Sequence, residues 1–270
     1  MTGTNLVNYN EKWAAQAAQY AEQEKLVGGT FISTRGGTLS IGEEVLPGNQ
    51  MVVIVLDVVN ENTFYDNKFD PDNRQPPLCY AFGRSADEMA PHESMQVDLE
   101  YFQPQAETCS VCPHNAWGSA EKGRGKACQN RRRIALIPAG YYNPRRGSRD
   151  FDLELFDDPK HFQTADIAYL KLPVTSVTPW SKYVNQIAAN ANRPPHGVVT
   201  RISIEPDQKT QYKLVFEMIE EVPDNLAEAI MSRHEQAVRQ VIQGYQVPEE
   251  KSPQQQVHQG SLRGLRPGKR

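Results

Sequence analysis

The chain lacks any run near the roughly 18 consecutive apolar residues of a membrane-spanning helix. Its start, MTGTNLVNYNEKW, also lacks the basic-then-apolar order of a secretory signal. A soluble, intracellular protein is the expectation. No Walker loop and no G-x-S-x-G elbow occur, so two common enzyme classes have no carrier. Cysteine is scarce: only Cys79, Cys109, Cys112 and Cys128 are present, the last three within twenty residues. In a reducing compartment such clustering favours a metal over a disulfide. The sharpest absence is of acid. From Lys122 to Arg149 there is no Asp or Glu but nine basic residues, which leaves −13 for the rest of a chain whose net charge is −4. A local field of that sign suits a polyanionic partner.

What is present reads mainly as β, with peripheral helices. At 270 residues the chain accommodates one elaborated domain or two small ones. NEKWAAQAAQYAEQEK favours an N-terminal helix over residues 1–28, stopped at Gly28 and Gly29. TFIST and TLSIG flank an RGG turn, and MVVIVLDVV is the best central strand. LCYAF, RIALIP, IAYLKLPV, GVVTRISIEP and QYKLVFEMIEE continue the strand texture, the last two joined by a DQKT hairpin signal. VTPWSKYVNQIAANAN predicts a helix. Leu226, Ile230, Val238, Val241 and Ile242 predict another over residues 224–245, and a Gln/Pro/Gly-rich disordered tail is expected over 246–270. The core is then residues 29–223, interrupted at about 83–130 by an insertion with little periodic hydrophobicity. The count fits an α+β class and a Greek-key barrel of the OB type with an inserted loop module.

Inside the insertion, Cys109 and Cys112 form a C-x-x-C knuckle, a spacing that lets two thiolates from one turn share a tetrahedral ion. Cys128 follows 16 residues later, and Cys79 precedes by 30 on a strand end. Together they make a four-thiolate set for structural Zn2+, with His114 and His92 as substitutes if Cys79 is merely buried. The zinc deaminase pattern is absent, and the His114-Asn115 pair lacks the further elements of an HNH nuclease. No enzymatic activity is expected.

The stretches PPLCYAF, CSVCPHNAWGSAEKGRGKACQNRRRIALIP, LKLPVTSVTPWSKYVNQIA and VVTRISI resemble, in that order, a family of tailed-phage proteins. The resemblance spans roughly residues 50 to 220. It implies an OB-fold single-stranded DNA-binding protein with a zinc-binding insertion, similar in plan to the helix-destabilising protein of T-even phages. It implies Cys79, Cys109, Cys112 and Cys128 as zinc ligands, a role in phage DNA replication or recombination, and the cytoplasm of an infected bacterial host. Replication or recombination proteins are then further partners. The chain departs from the acidic tail of replicative single-strand binders, since it ends SLRGLRPGKR. A sequence-tolerant single-strand surface combines cations that track phosphates with aromatic faces on which bases stack. The candidates are Lys122, Arg124, Lys126, Arg131, Arg132 and Arg133 for phosphates, and Trp117, Tyr80, Tyr141 and Tyr142 for stacking. The competing reading is a zinc-stabilised adaptor that docks on a polymerase or replication protein.

Overall fold

The computed structural model describes Trp13 and residues 30–42, 44–66, 75–145, 151–208 and 210–246. Apart from Trp13 and Gln246, the expected N-terminal helix and C-terminal tail lie outside the described residues.

The frame is a strongly curled half-barrel sheet, mainly β with few helices, as the composition of the strands leads one to expect. Its strands are β1 (Thr30–Ser33), β2 (Ser40–Ile41), β3 (Glu44–Val45), β4 (Gln50–Phe64), β5 (Cys79–Gly83), β6 (Gln129–Pro138), β9 (Ala168–Leu172), β10 (Val198–Asp207) and β11 (Gln211–Glu221). They run in the order β11-β10-β4-β6-β9-β1-β2-β3, with β5 paired to β4. A separate hairpin, β7 (Gly140–Pro144) with β8 (Phe151–Leu155), stands beside the sheet. The helices are α1 (Pro159–Thr164), α2 (Val174–Ala191) and α3 (Asp224–Gln240). Among the described residues no helix is long and apolar enough to cross a membrane.

β4 is the spine. Its run of Val, Ile and Leu is buried on both faces, because successive side chains of a strand point oppositely. Met51, Val53 and Val55 join the core under α2, with Ile134, Leu136, Leu170 and Leu172. Val52, Ile54 and Val59 join the core under α3, with Ala135, Ile137 and Tyr169. One edge of β4 pairs with β6 along its length, and the other is shared between β10 near Gln50 and β5 near Phe64. The register with β6 shifts between Val55 and Asp57, the kind of irregularity that bends a strand.

α2 buries Ser176, Trp180, Tyr183 and Ile187, spaced four, three and four residues apart, which is one face of a helix. Asn192 ends it in the left-handed conformation (φ 50°), and Pro194 and Pro195 follow. α3 buries Leu226, Ala229, Ile230 and Ala237, with Val241 beyond its end, and leaves Ile242 exposed. Each fully buried aliphatic side chain contributes on the order of 1.5–3 kcal/mol, so the two layers supply most of the cohesion. From Arg84 to Cys128 the described chain forms no strand and only two short 3-10 turns. Its order must come from elsewhere.

Candidate functional site

The insertion folds onto one end of the sheet, and the four cysteines meet there. Cys79, Cys109, Cys112 and Cys128 line a single pocket with Asn62, Phe64 and Asn115. Cys79 lies opposite Phe64 on β5, and Ala81 lies opposite Asn62, so these residues share the α2 side of the sheet. All four thiols are free, and neither His92 nor His114 lines the pocket. His114 stacks on Phe64 at 4.0 Å, while its carbonyl accepts from the Cys128 amide. His92 stacks on Tyr80.

Hydrogen bonds hold the loop in this position. Asn130 on β6 donates to the Asn62 side chain (2.6 Å) and to that of Asn115 (3.0 Å). Asn115 in turn donates to the Cys109 carbonyl (2.7 Å). Gly118 and Ala120 both donate backbone bonds to the Gly125 carbonyl, and Ser119 Oγ accepts from the Ala127 amide. Gly118 and Gly123 have φ of 87° and 80°, a region where a Cβ brings strain.

The donor set fits a metal. Four sulfurs in one small apolar pocket are the ligand type of closed structural zinc sites. The Asn62 side chain hydrogen-bonds to Cys109 and the Gln105 backbone to Cys79, the outer partners such ligands use. Burial pushes the Cys79, Cys109 and Cys128 thiols up, and the neighbouring cysteines push them further, Cys128 to about 12. A dication reverses that penalty, because a coordinating thiol is deprotonated outright. The four are gathered rather than already closed on a point. Among the described residues no group of three or more His, Cys, Asp or Glu is placed so that it could hold a metal ion as it stands.

The other expected contacts divide. Lys122 and Arg124 are exposed, and Trp117 is 80% exposed with the Lys126 ammonium 5.5 Å from its ring. Arg131 and Arg132 are half-buried. Tyr141 is exposed, but it lies on β7, past the end of β6 opposite to Arg131. Three expectations need correction. Tyr80 is 1% exposed: its ring packs against Phe102, Phe82 and Tyr245, and its hydroxyl bonds to Ser94 (2.6 Å). Tyr142 is buried in the core under α3. Arg133 is 5% exposed and belongs to an internal ion cluster.

That cluster was not foreseen. Glu61 on β4 is 0% exposed, and its Oε1 accepts from Arg133 Nε (3.0 Å) and Nη2 (2.5 Å) and from the Tyr245 hydroxyl (2.6 Å). Arg133 Nη1 donates to the Val241 and Gln243 carbonyls, fastening the chain beyond α3 to the sheet. Lys171 on β9 donates to Tyr245 (2.5 Å) and sits 3.9 Å from Glu61. Burial pushes the Glu61 carboxyl up, but Lys171, Arg133 and the bonds from Tyr245 and Arg133 outweigh this and hold it below the usual range. Burial pulls the Lys171 ammonium down to about 8, with Glu61 opposing and Arg133 and Arg131 assisting. A lone acid after an apolar run and a lone lysine inside AYLKL were the signals available.

No protein-family model matches the chain, and searches of curated proteins and of solved structures find no match either.

Proposed function

We propose that the protein is a sequence-tolerant single-stranded DNA-binding protein acting in phage DNA replication or recombination inside the bacterial host. In this reading the half barrel is an OB-type core, and Cys79, Cys109, Cys112 and Cys128 hold a structural Zn2+. The ion would cross-link the insertion to β5 and supply the order that its missing apolar core does not. One observation carries the reading: a hydrogen-bonded loop without acid from Lys122 to Arg133 presents Lys122, Arg124 and a nearly bare Trp117 beside Lys126. Cations for phosphates and an open ring for a base are the two components of such a surface. Titrating fluorescently labelled dT oligonucleotides at increasing salt tests it, with a linear log-log fall in affinity expected. Absence of binding at low salt overturns it.

The adaptor reading has its own support in Val97, Leu99 and Val111, apolar side chains exposed on the same insertion. It requires no oligonucleotide affinity and a protein partner whose binding is weakened by Val111→Asp.

A further inference from the structure

We infer that single-stranded DNA also contacts the opposite, α3 side of the same sheet end, where Phe31 and Tyr65 offer stacking faces and Lys171 and Arg131 offer phosphate contacts. The inference rests on the single-strand reading above and adds a second stretch of the path. Cross-strand pairing puts Phe31, Lys171 and Arg131 on one face: Phe31 lies opposite Tyr169, Lys171 opposite Arg133, and Arg131 opposite Glu61. An exposed aromatic on a sheet is unusual where the strand has a core to join, yet Phe31 is 39% exposed and Tyr65 38%. The Lys171 ammonium sits 5.0 Å from the Phe31 ring and 4.5 Å from that of Tyr245. Tyr245 itself lies near-parallel to Phe82, so the face already holds one flat ring among cations.

Charge favours an anion here. Glu61 is the carboxylate of the cluster and its Oε1 is committed to Arg133 and Tyr245, whereas Arg131 has no carboxylate partner among the described residues and its Nε is buried without an acceptor. Lys171, Arg131 and Arg133 stand against the carboxylates of Glu61 and of the exposed Asp66 that follows Tyr65, which leaves the face one positive charge in excess.

The test titrates labelled dT20 with wild type and with Phe31→Leu, Lys171→Gln, Trp117→Ala and the loop pair Lys122→Gln/Arg124→Gln. Phe31→Leu keeps an apolar contact for Tyr169 but removes the stacking ring, and a loss of roughly 5- to 150-fold is expected. Lys171→Gln should shallow the log-log salt slope by about 0.7, and Lys171→Arg should restore it. Because Lys171→Gln disturbs a buried cluster, a second measurement uses wild type alone: acetylation of Lys171, read by mass spectrometry, should be suppressed by saturating dT20. If the loop variants weaken binding while Phe31→Leu binds as wild type and Lys171 stays unprotected, this inference fails and the single-strand reading stands. If wild type does not bind dT20 at low salt, both fail.

Discussion

Arg133 is where chain order and structure assign different work to one residue, and a substitution separates them. As one of three consecutive arginines it reads as a phosphate contact, whereas its guanidinium is spent inside the protein on Glu61, Val241 and Gln243 and lies 4.2 Å from the Phe82 ring. Removing one partner of a buried pair typically costs about 3–5 kcal/mol, because the other charge is left uncompensated. Glu61→Gln should fall in that range, since it strands both Arg133 and Lys171. Arg133→Met should do the same, since Glu61 is fully buried and its Oε2 already has no partner. Against a total stability on the order of 5–15 kcal/mol, either loss is about a fifth or more. With a urea m value of roughly 3 kcal/mol/M, the unfolding midpoint drops by about 1 to 1.7 M. The double variant should cost less than the sum by about 0.5–3 kcal/mol, the coupling of groups in direct contact. Urea unfolding followed by circular dichroism measures all three, and dT20 binding is read where each variant is still folded. Arg133→Met melting within about 0.5 kcal/mol of wild type while losing tenfold or more in oligonucleotide affinity would refute the internal role.

Other expectations follow from the same geometry. Zinc analysis after chelator-free purification should find one equivalent per chain, and less than half an equivalent counts against the four-thiol site. Cys79, Cys109 and Cys128 are all pushed above the ordinary thiol range, so zinc binding at pH 7.5 should release about three protons or more, measured calorimetrically in buffers of different ionisation heat. Release of fewer than two sinks that picture. Trp117→Ala should weaken dT20 binding by about 1–3 kcal/mol and leave the melting temperature unchanged, because the ring is mostly in water. Oligonucleotide affinity should fall between pH 7 and 9.5 as Lys171 loses its charge near 8. Around it Glu61 is held low, Tyr245 is held well above 10, and Arg133 is held up by Glu61, so a flat profile argues against Lys171 as a phosphate contact.

Much of the frame was legible because it is written locally. The apolar run of β4 and the DQKT turn joining β10 to β11 need only a window of ten or so residues. The spacing of Trp180, Tyr183 and Ile187 on α2 is equally local. The gathering of Cys79 with the knuckle was legible from spacing and ligand chemistry. The ion cluster was not, because Phe31, Glu61, Arg133, Lys171 and Tyr245 come from four strands and the chain after α3. No local pattern reports that β1 lies parallel to β9. The β7-β8 hairpin was hidden for a different reason, since it pairs with itself and sets Tyr141 and Tyr142 apart from the basic loop they follow.

The corrections at Tyr80 and Arg133 have one cause. Side chains alternate along a strand, so neighbours in sequence are opposites in space. If Cys79 faces the Cys109–Cys112 knuckle, Tyr80 must point to the other side of the sheet, where it enters the aromatic cluster with Phe82 and Phe102. The arginine triplet divides in the same way: Arg132 pairs with Asn60 and Leu172 on the α2 side, while Arg131 and Arg133 pair with Glu61, Val59 and Lys171 on the other. A run that reads as one basic patch is thus two. The loop charges belong to the insertion, and the strand charges belong to a face whose remaining cations, Arg131 and Lys171, stand near the exposed rings of Tyr65 and Phe31. If both faces of this sheet end carry the strand, the path is longer than the loop alone, and the oligonucleotide length at which affinity stops rising should report that length directly.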